Sequence, residues 1–140
     1  MMKTTVLLID DSRFLRKANE LALSRSGYSV LAAGDGEEGL HIACEKIPDL
    51  IVLDMMLPKM PGQQLLHELK SDPRTSGIPV IVLSSLPQIN AERLKSEGAV
   101  AYFEKASLGI DTGSTRLVEE IGNVLGSRRS LAGARTEFSN

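Results

Sequence analysis

The chain has 140 residues, 42% of them hydrophobic and 12 of them glycine, which fits one globular domain and excludes pervasive disorder, collagen and a coiled coil. Sixteen Lys and Arg against 18 Asp and Glu give a net charge of −2, so no basic excess directs the whole domain to nucleic acid. The apolar runs fall far short of the ~20 residues that cross a bilayer, the N-terminus lacks a signal-peptide pattern, and the single Cys44 cannot form an internal disulfide; together these predict a cytoplasmic chain.

Val6-Leu7-Leu8-Ile9 is the first of five short apolar runs and reads as a strand. Phe14, Leu15, Ala18, Leu21 and Ala22 then recur at helical spacing, with Ser12 placed to cap the start of a helix and Gly27 to end it. Tyr28 to Ala33 is the second run, and a helix over Gly36 to Glu45 follows it. Leu50-Ile51-Val52-Leu53 is the third, followed by a helix over Gln63 to Ser71 that carries Leu65, Leu66 and Leu69 and stops before Pro73. After the fourth run, Val80-Ile81-Val82-Leu83, comes a shorter helix over Asn90 to Glu97 that stops at Gly98. Val100 to Phe103 is the fifth and weakest run, and a last helix spans about Ser114 to Leu125 with Leu117, Ile121 and Leu125 on one face. Ser127 to Asn140 lacks apolar periodicity and carries three Arg against one Glu. The chain thus divides into a folded domain over residues 4–126 and a tail or linker over 127–140, with no output domain in these residues.

The runs lack polar alternation, as strands buried on both faces of a parallel sheet do. Five repeats of strand then helix with short polar connections predict an α/β fold, a doubly wound parallel sheet with helices on both faces. In such a sheet all strands end at one edge, where ligands bind. Asp10 and Asp11 follow the first run, Asp54 the third, Ser84 and Ser85 the fourth, and Lys105 the fifth. Strand ends expose polar residues in any case, and Asp11-Ser12 would serve as a helix cap. Carboxylates gathered on one rim, however, repel one another unless a cation joins them. With oxygen ligands and no His or Cys nearby, Mg²⁺ suits the site best. A carboxylate beside Mg²⁺, with a hydroxyl and an ammonium close by, is what an aspartyl-phosphate site requires.

These residues resemble the receiver domain of two-component response regulators over nearly all of residues 4–126. The motifs that carry the resemblance are Asp10-Asp11, the segment Asp54-Met55-Met56-Leu57-Pro58-Lys59-Met60-Pro61-Gly62, Ser84 thirty positions after Asp54, and Lys105 after Tyr102. The resemblance implies a flavodoxin-like five-stranded sheet of order 2-1-3-4-5 and a phosphorylation-dependent switch. Asp54 would accept a phosphoryl group from a histidine kinase or a histidine phosphotransfer protein. Asp11 and Asp54 would hold Mg²⁺ through their side chains, Met56 through its main-chain carbonyl and Asp10 through water, while Lys105 would pair with a phosphoryl oxygen. Ser84 would be the switch hydroxyl and Tyr102 the aromatic that changes rotamer. The face formed by the fourth helix, fifth strand and fifth helix would then engage a downstream effector protein or a second copy of the chain. The domain would catalyse its own phosphorylation and dephosphorylation rather than turn over a substrate, with no direct contact to nucleic acid or membrane.

Several positions depart from the family pattern or point elsewhere. Lys105 precedes Ala106 where the family usually has a cis proline, and a cis bond without proline costs ~3 to 4 kcal/mol. If the altered loop impairs activation, the domain would act as a constitutive protein-interaction module instead. Met56 and Leu86, at the two positions that flank the phosphoryl group, are apolar and cannot orient a hydrolytic water, which predicts slow autodephosphorylation. A phosphohydrolase would need an acid where Met56 stands. Gly34-Asp35-Gly36-Glu37-Glu38-Gly39 is a literal G-x-G-x-x-G between a strand and a helix, but its acidic residues would crowd a pyrophosphate. Gly62 after Pro61 fits a turn position of positive φ, and Pro58 loop rigidity. Cys44 reads as a small buried hydrophobe, and His41 and His67 as surface residues with no carboxylate partner at a sensible spacing.

Overall fold

Strands β1 (Thr5–Ile9), β2 (Ser29–Ala33), β3 (Leu50–Asp54), β4 (Val80–Ser84) and β5 (Ala101–Glu104) coincide with the five apolar runs and pair in parallel, in the order β2-β1-β3-β4-β5. Between them lie α1 (Arg13–Arg25), α2 (Gly36–Lys46), α3 (Gly62–Ser71) and α4 (Ala91–Ser96), and residues 116–126 form α5. The computed structural model describes residues 3–84, 91–104 and 116–126. The expectations for Ser85, Leu86, Lys105, Ala106 and the tail 127–140 lie outside these residues. Among the described residues no helix is long and apolar enough to cross a membrane.

The parallel sheet explains the absence of polar alternation. Leu7, Ile9, Ile51, Leu53, Val80 and Val82 face one apolar cluster with Leu65, Leu66 and Leu69 of α3, while Val6, Leu8, Leu50, Val52, Ile81 and Leu83 face the other with Leu23, Leu117, Ile121 and Leu125. Both faces are covered, so consecutive residues of the inner strands must be apolar.

Ser12 caps α1 as expected, its Oγ accepting from the Leu15 N–H, and Gly27 ends it at a φ of +96°. The face that α1 buries matches the one the apolar spacing marks only in part: Leu15, Ala18 and Ala22 are half-buried. Phe14 and Leu21 are exposed and Leu23 is buried, so the helix turns inward a line that also holds Arg16 and Asn19, both half-buried. Asp35 caps α2 by accepting from the Glu38 N–H, and the Glu38 carboxylate reaches back to the Gly34 N–H. The G-x-G-x-x-G is therefore a capping arrangement. Its last glycine makes room for the sheet, since a Cβ on Gly39 would stand 2.6 Å from Ile9 Cδ1.

Other sequence expectations change. Gly62 does not adopt a positive φ; it is the position where α3 begins against the backbone of β3's end. Lys59, three residues earlier, takes the left-handed conformation instead, with φ 67°. His41 has a carboxylate partner, Glu45, 3.0 Å away one helical turn on. Cys44 is only half-buried, and its Sγ lies 3.6 Å from Asp72 Oδ2. Burial pushes this thiol up from its ordinary pKa, with Asp72 adding to the effect against the opposing charge of Arg74. Hydrogen bonds from Arg74 hold the half-buried Asp72 carboxyl down at about 2, so what this pair adds to stability is present above the ordinary carboxylate pKa and lost as pH falls through that pKa toward about 2.

Ile47 ends α2 in the left-handed region, at φ 46° and ψ 68°, although it is β-branched and 46% exposed. Such a residue meets its own backbone there, at a cost of roughly 1–2 kcal/mol that glycine avoids. Ile47→Gly is expected to stabilise the fold by about 1 kcal/mol in urea unfolding. A loss of stability would mean that the packing of the isoleucine outweighs its strain.

Candidate functional site

The site is built where β1 and β3, neighbours in the sheet, reach its carboxyl edge. The ladder continues past both strands: the Asp10 N–H donates to Ala33 O at 3.1 Å and the Met55 N–H to Leu83 O at 2.9 Å. Asp10 and Asp54 are therefore held by sheet hydrogen bonds, not left on free loop. Each then folds back on its own loop in the same way. Asp10 Oδ1 accepts from the Ser12 N–H at 2.9 Å, and Asp54 Oδ1 from the Met56 N–H at 3.0 Å. This is the turn that an Asp side chain makes with the backbone two residues on, and it sets the orientation of each carboxylate within its own segment.

Asp10 and Asp54 are buried, 5% and 1% exposed, while Asp11 is exposed. One carboxylate oxygen from each of the three lies within 4.8 Å of the others. Like charges at such a separation repel by a few kcal/mol per pair at the effective dielectric of a protein surface. Hard oxygen donors, with no imidazole or thiolate among them, fit Mg²⁺ and not a softer ion. The Met56 side chain is 53% exposed and flanks the cluster through the Asp54 turn.

The remaining expected site residues divide. Leu83 pairs with Asp54, so Ser84, the last residue of β4, stands at the same edge one step on. Tyr102 lies in β5 opposite Val82, 9% exposed and packed into the apolar cluster of α3 and α4. Lys105 is outside the described residues. Sequence reasoning missed Arg16, whose Nη1 donates to the main-chain oxygen of Asp10 at 2.7 Å. The signal was available: Arg16, Asn19 and Leu23 are spaced to share one helix face, and the apolar member of that line is fully buried.

A family model described as the response regulator receiver domain matches residues 6–111. The chain belongs to this family. Among curated relatives, the receiver domain is 39% identical over 92 residues to the "probable transcriptional regulator ycf27" of Guillardia theta, an alignment of 66% of this chain and 35% of that protein. It is 38% identical over 131 residues to "chemotaxis protein CheV3" of Helicobacter pylori, covering 86% of this chain and 40% of that one. The chain thus spans well under half the length of these curated relatives. In fold it is similar to a crystallised "response regulator receiver domain protein (CheY-like)" of Methanospirillum hungatei, with a TM-score of 0.81 over 92% of this chain and 98% of that one at 23% identity.

Proposed function

We propose that this receiver domain, residues 4–126 followed by a tail or linker over 127–140, is a phosphorylation-dependent switch of a cytoplasmic two-component phosphorelay, with Asp54 as the acceptor. What carries this reading is the convergence of Asp10, Asp11 and Asp54 within 4.8 Å at the edge where β1 and β3 end. The donor is the phosphohistidine of a histidine kinase or a histidine phosphotransfer protein. An Asp54 carboxylate oxygen bonds to phosphorus, the donor's phosphorus–nitrogen bond breaks, and the bonding pair leaves on the imidazole nitrogen, which takes up a proton. Asp11 and Asp54 would hold Mg²⁺ with the Met56 main-chain oxygen, and Asp10 would do so through water. Bound there, the ion supplies neutralising charge for the equatorial oxygens of the transferring group.

Lys105 adds a second positive charge to those oxygens. Ser84 hydrogen-bonds the phosphoryl group, and Tyr102 changes rotamer as Ser84 is drawn in. The face of α4, β5 and α5, about residues 88–125, then changes shape and engages a downstream effector or a second copy of the chain.

The test is the intact mass after incubation with acetyl phosphate and Mg²⁺. One phosphoryl adduct is expected, absent from Asp54→Asn and from a sample with chelator. An unmodified wild-type mass, with no Mg²⁺ binding, would replace the switch by a constitutive interaction module.

The adduct is expected to be long-lived, because the exposed Met56 beside Asp54 offers no polar group to orient water. Met56→Asn supplies one, and the phosphoryl half-life should shorten about tenfold, an order below the full effect of a general base. An unchanged half-life, read by the decay of the mass adduct, would remove Met56 as its determinant.

A further inference from the structure

Arg16 is a cation set beneath an acidic centre that it does not pair with. Its Nη1 donates to the Asp10 main-chain oxygen at 2.7 Å, and a Cβ on Gly34, at the end of β2, would lie 3.3 Å from the same nitrogen. The guanidinium thus spans from α1 to the ends of β1 and β2. Among the described residues it makes no ion pair within 4.0 Å. With Asp10, Asn19 and the apolar Leu8, Ile9, Val52 and Leu83, it lines a cavity of about 10 Å³ under α1, close to the volume that one water needs. Asp10 is thereby gripped twice, at its carbonyl by Arg16 and at its carboxylate by the Ser12 N–H.

The geometry points to Arg16 as the positioning residue of the acidic centre: its hydrogen bond to the Asp10 carbonyl fixes the β1–α1 turn and so the direction of the Asp10 carboxylate toward the cation. The inference rests on Mg²⁺ binding at Asp10, Asp11 and Asp54. Two effects of this side chain oppose each other. Its charge repels a divalent ion, so deleting it would tighten binding; its grip preorients a carboxylate, so deleting it would loosen binding. The distance decides for the grip. The hydrogen bond is short and half-buried, whereas the charge reaches the ion only past the Asp10 main chain and is partly screened. Groups that hold a metal-directed carboxylate in place are typically worth 10- to 100-fold in affinity.

The experiment is Mg²⁺ titration by calorimetry on the wild-type chain, Arg16→Met, Arg16→Lys and Asp11→Asn, with melting temperatures taken in chelator. Arg16→Met should bind Mg²⁺ about tenfold more weakly. Arg16→Lys, whose ammonium can still donate to the Asp10 carbonyl, should recover part of that loss. A purely structural role would lower the metal-free melting temperature of Arg16→Met and leave its Mg²⁺ affinity at the wild-type value, and that result would overturn the proposal. Tighter binding by Arg16→Met would overturn it as well, since Arg16 would then act only as a repelling charge. Failure of the wild type itself to bind Mg²⁺ would remove the metal reading together with this one, whereas wild-type binding that Asp11→Asn weakens and Arg16→Met does not would sink this proposal alone.

Discussion

Gly62→Ala is expected to destabilise the domain by about 3 kcal/mol, the upper part of the usual cost of overpacking, and to slow phosphorylation of Asp54 tenfold or more. The added Cβ would stand 2.5 Å from Met55 Cα and 2.8 Å from the Asp54 main-chain oxygen. These neighbours are backbone, so no flexible side chain can swing aside. Restoring an ordinary contact of roughly 3.5 Å means moving the start of α3 or the end of β3 by about 1 Å. The hydrogen bond from the Gly62 N–H to the Met55 oxygen, 3.2 Å long, ties the two segments together and directs that shift onto the loop that follows Asp54. Thermal unfolding measures the first effect and acetyl phosphate kinetics by mass the second. A variant with wild-type stability and rate would mean that α3 tilts away freely, and that the close approach at Gly62 does not position Asp54.

The second large effect has the opposite sign. Asp54→Asn removes the proposed acceptor, yet it should raise stability in chelator by about 1 kcal/mol or more, because one of three carboxylates crowded within 4.8 Å loses its charge. A burial of 99% makes Asp54 the most enclosed of the three. Mg²⁺ should reverse the ranking. At a concentration 100 times its dissociation constant an ion stabilises the protein that binds it by about 2.7 kcal/mol, and the variant, with a ligand gone, should gain little. Melting curves of both proteins with chelator and with Mg²⁺ give the four values needed. Equal melting temperatures in chelator would show that neighbouring groups already neutralise the cluster in the metal-free protein.

The fold was legible because its signals are local and repeated. Unbroken apolar runs such as Leu50 to Leu53 suit strands covered on both faces, and Ser12 and Gly27 mark the ends of the first helix by chemistry that needs no tertiary partner. The acidic centre was legible for a related reason: Asp10 and Asp54 each follow a strand, and a parallel sheet brings all such positions to one edge. What sequence alone misread depends on contacts between elements. How α1 is turned against the sheet goes with the burial of Leu23, so Phe14 and Leu21 stay outside while Arg16 and Asn19 are half-buried beside Leu15, Ala18 and Ala22. Gly62 looked like a turn glycine because Pro61 precedes it, but the reason for glycine there is the backbone of Met55, seven residues earlier in the chain and adjacent in space. The His41–Glu45 pair lay one helical turn apart in plain view and was overlooked, whereas the contact of Cys44 with Asp72 joins positions that only the fold brings together.

The register of β1 against β3 gives the acidic centre a place in the folding reaction. Asp10 and Asp54 are 44 residues apart in the chain, and Ile9 meets Leu53 in the sheet just before them. Neither half of the centre exists as a binding site until that one long-range strand pairing has formed, although the turn of each half, Asp10 with Ser12 and Asp54 with Met56, is local in sequence. A divalent ion bound at this centre would therefore act as a clasp on the β1–β3 seam. If that seam closes after the rate-limiting step, the ion slows unfolding and leaves the folding rate alone; if the seam is part of the nucleus, the ion speeds folding instead.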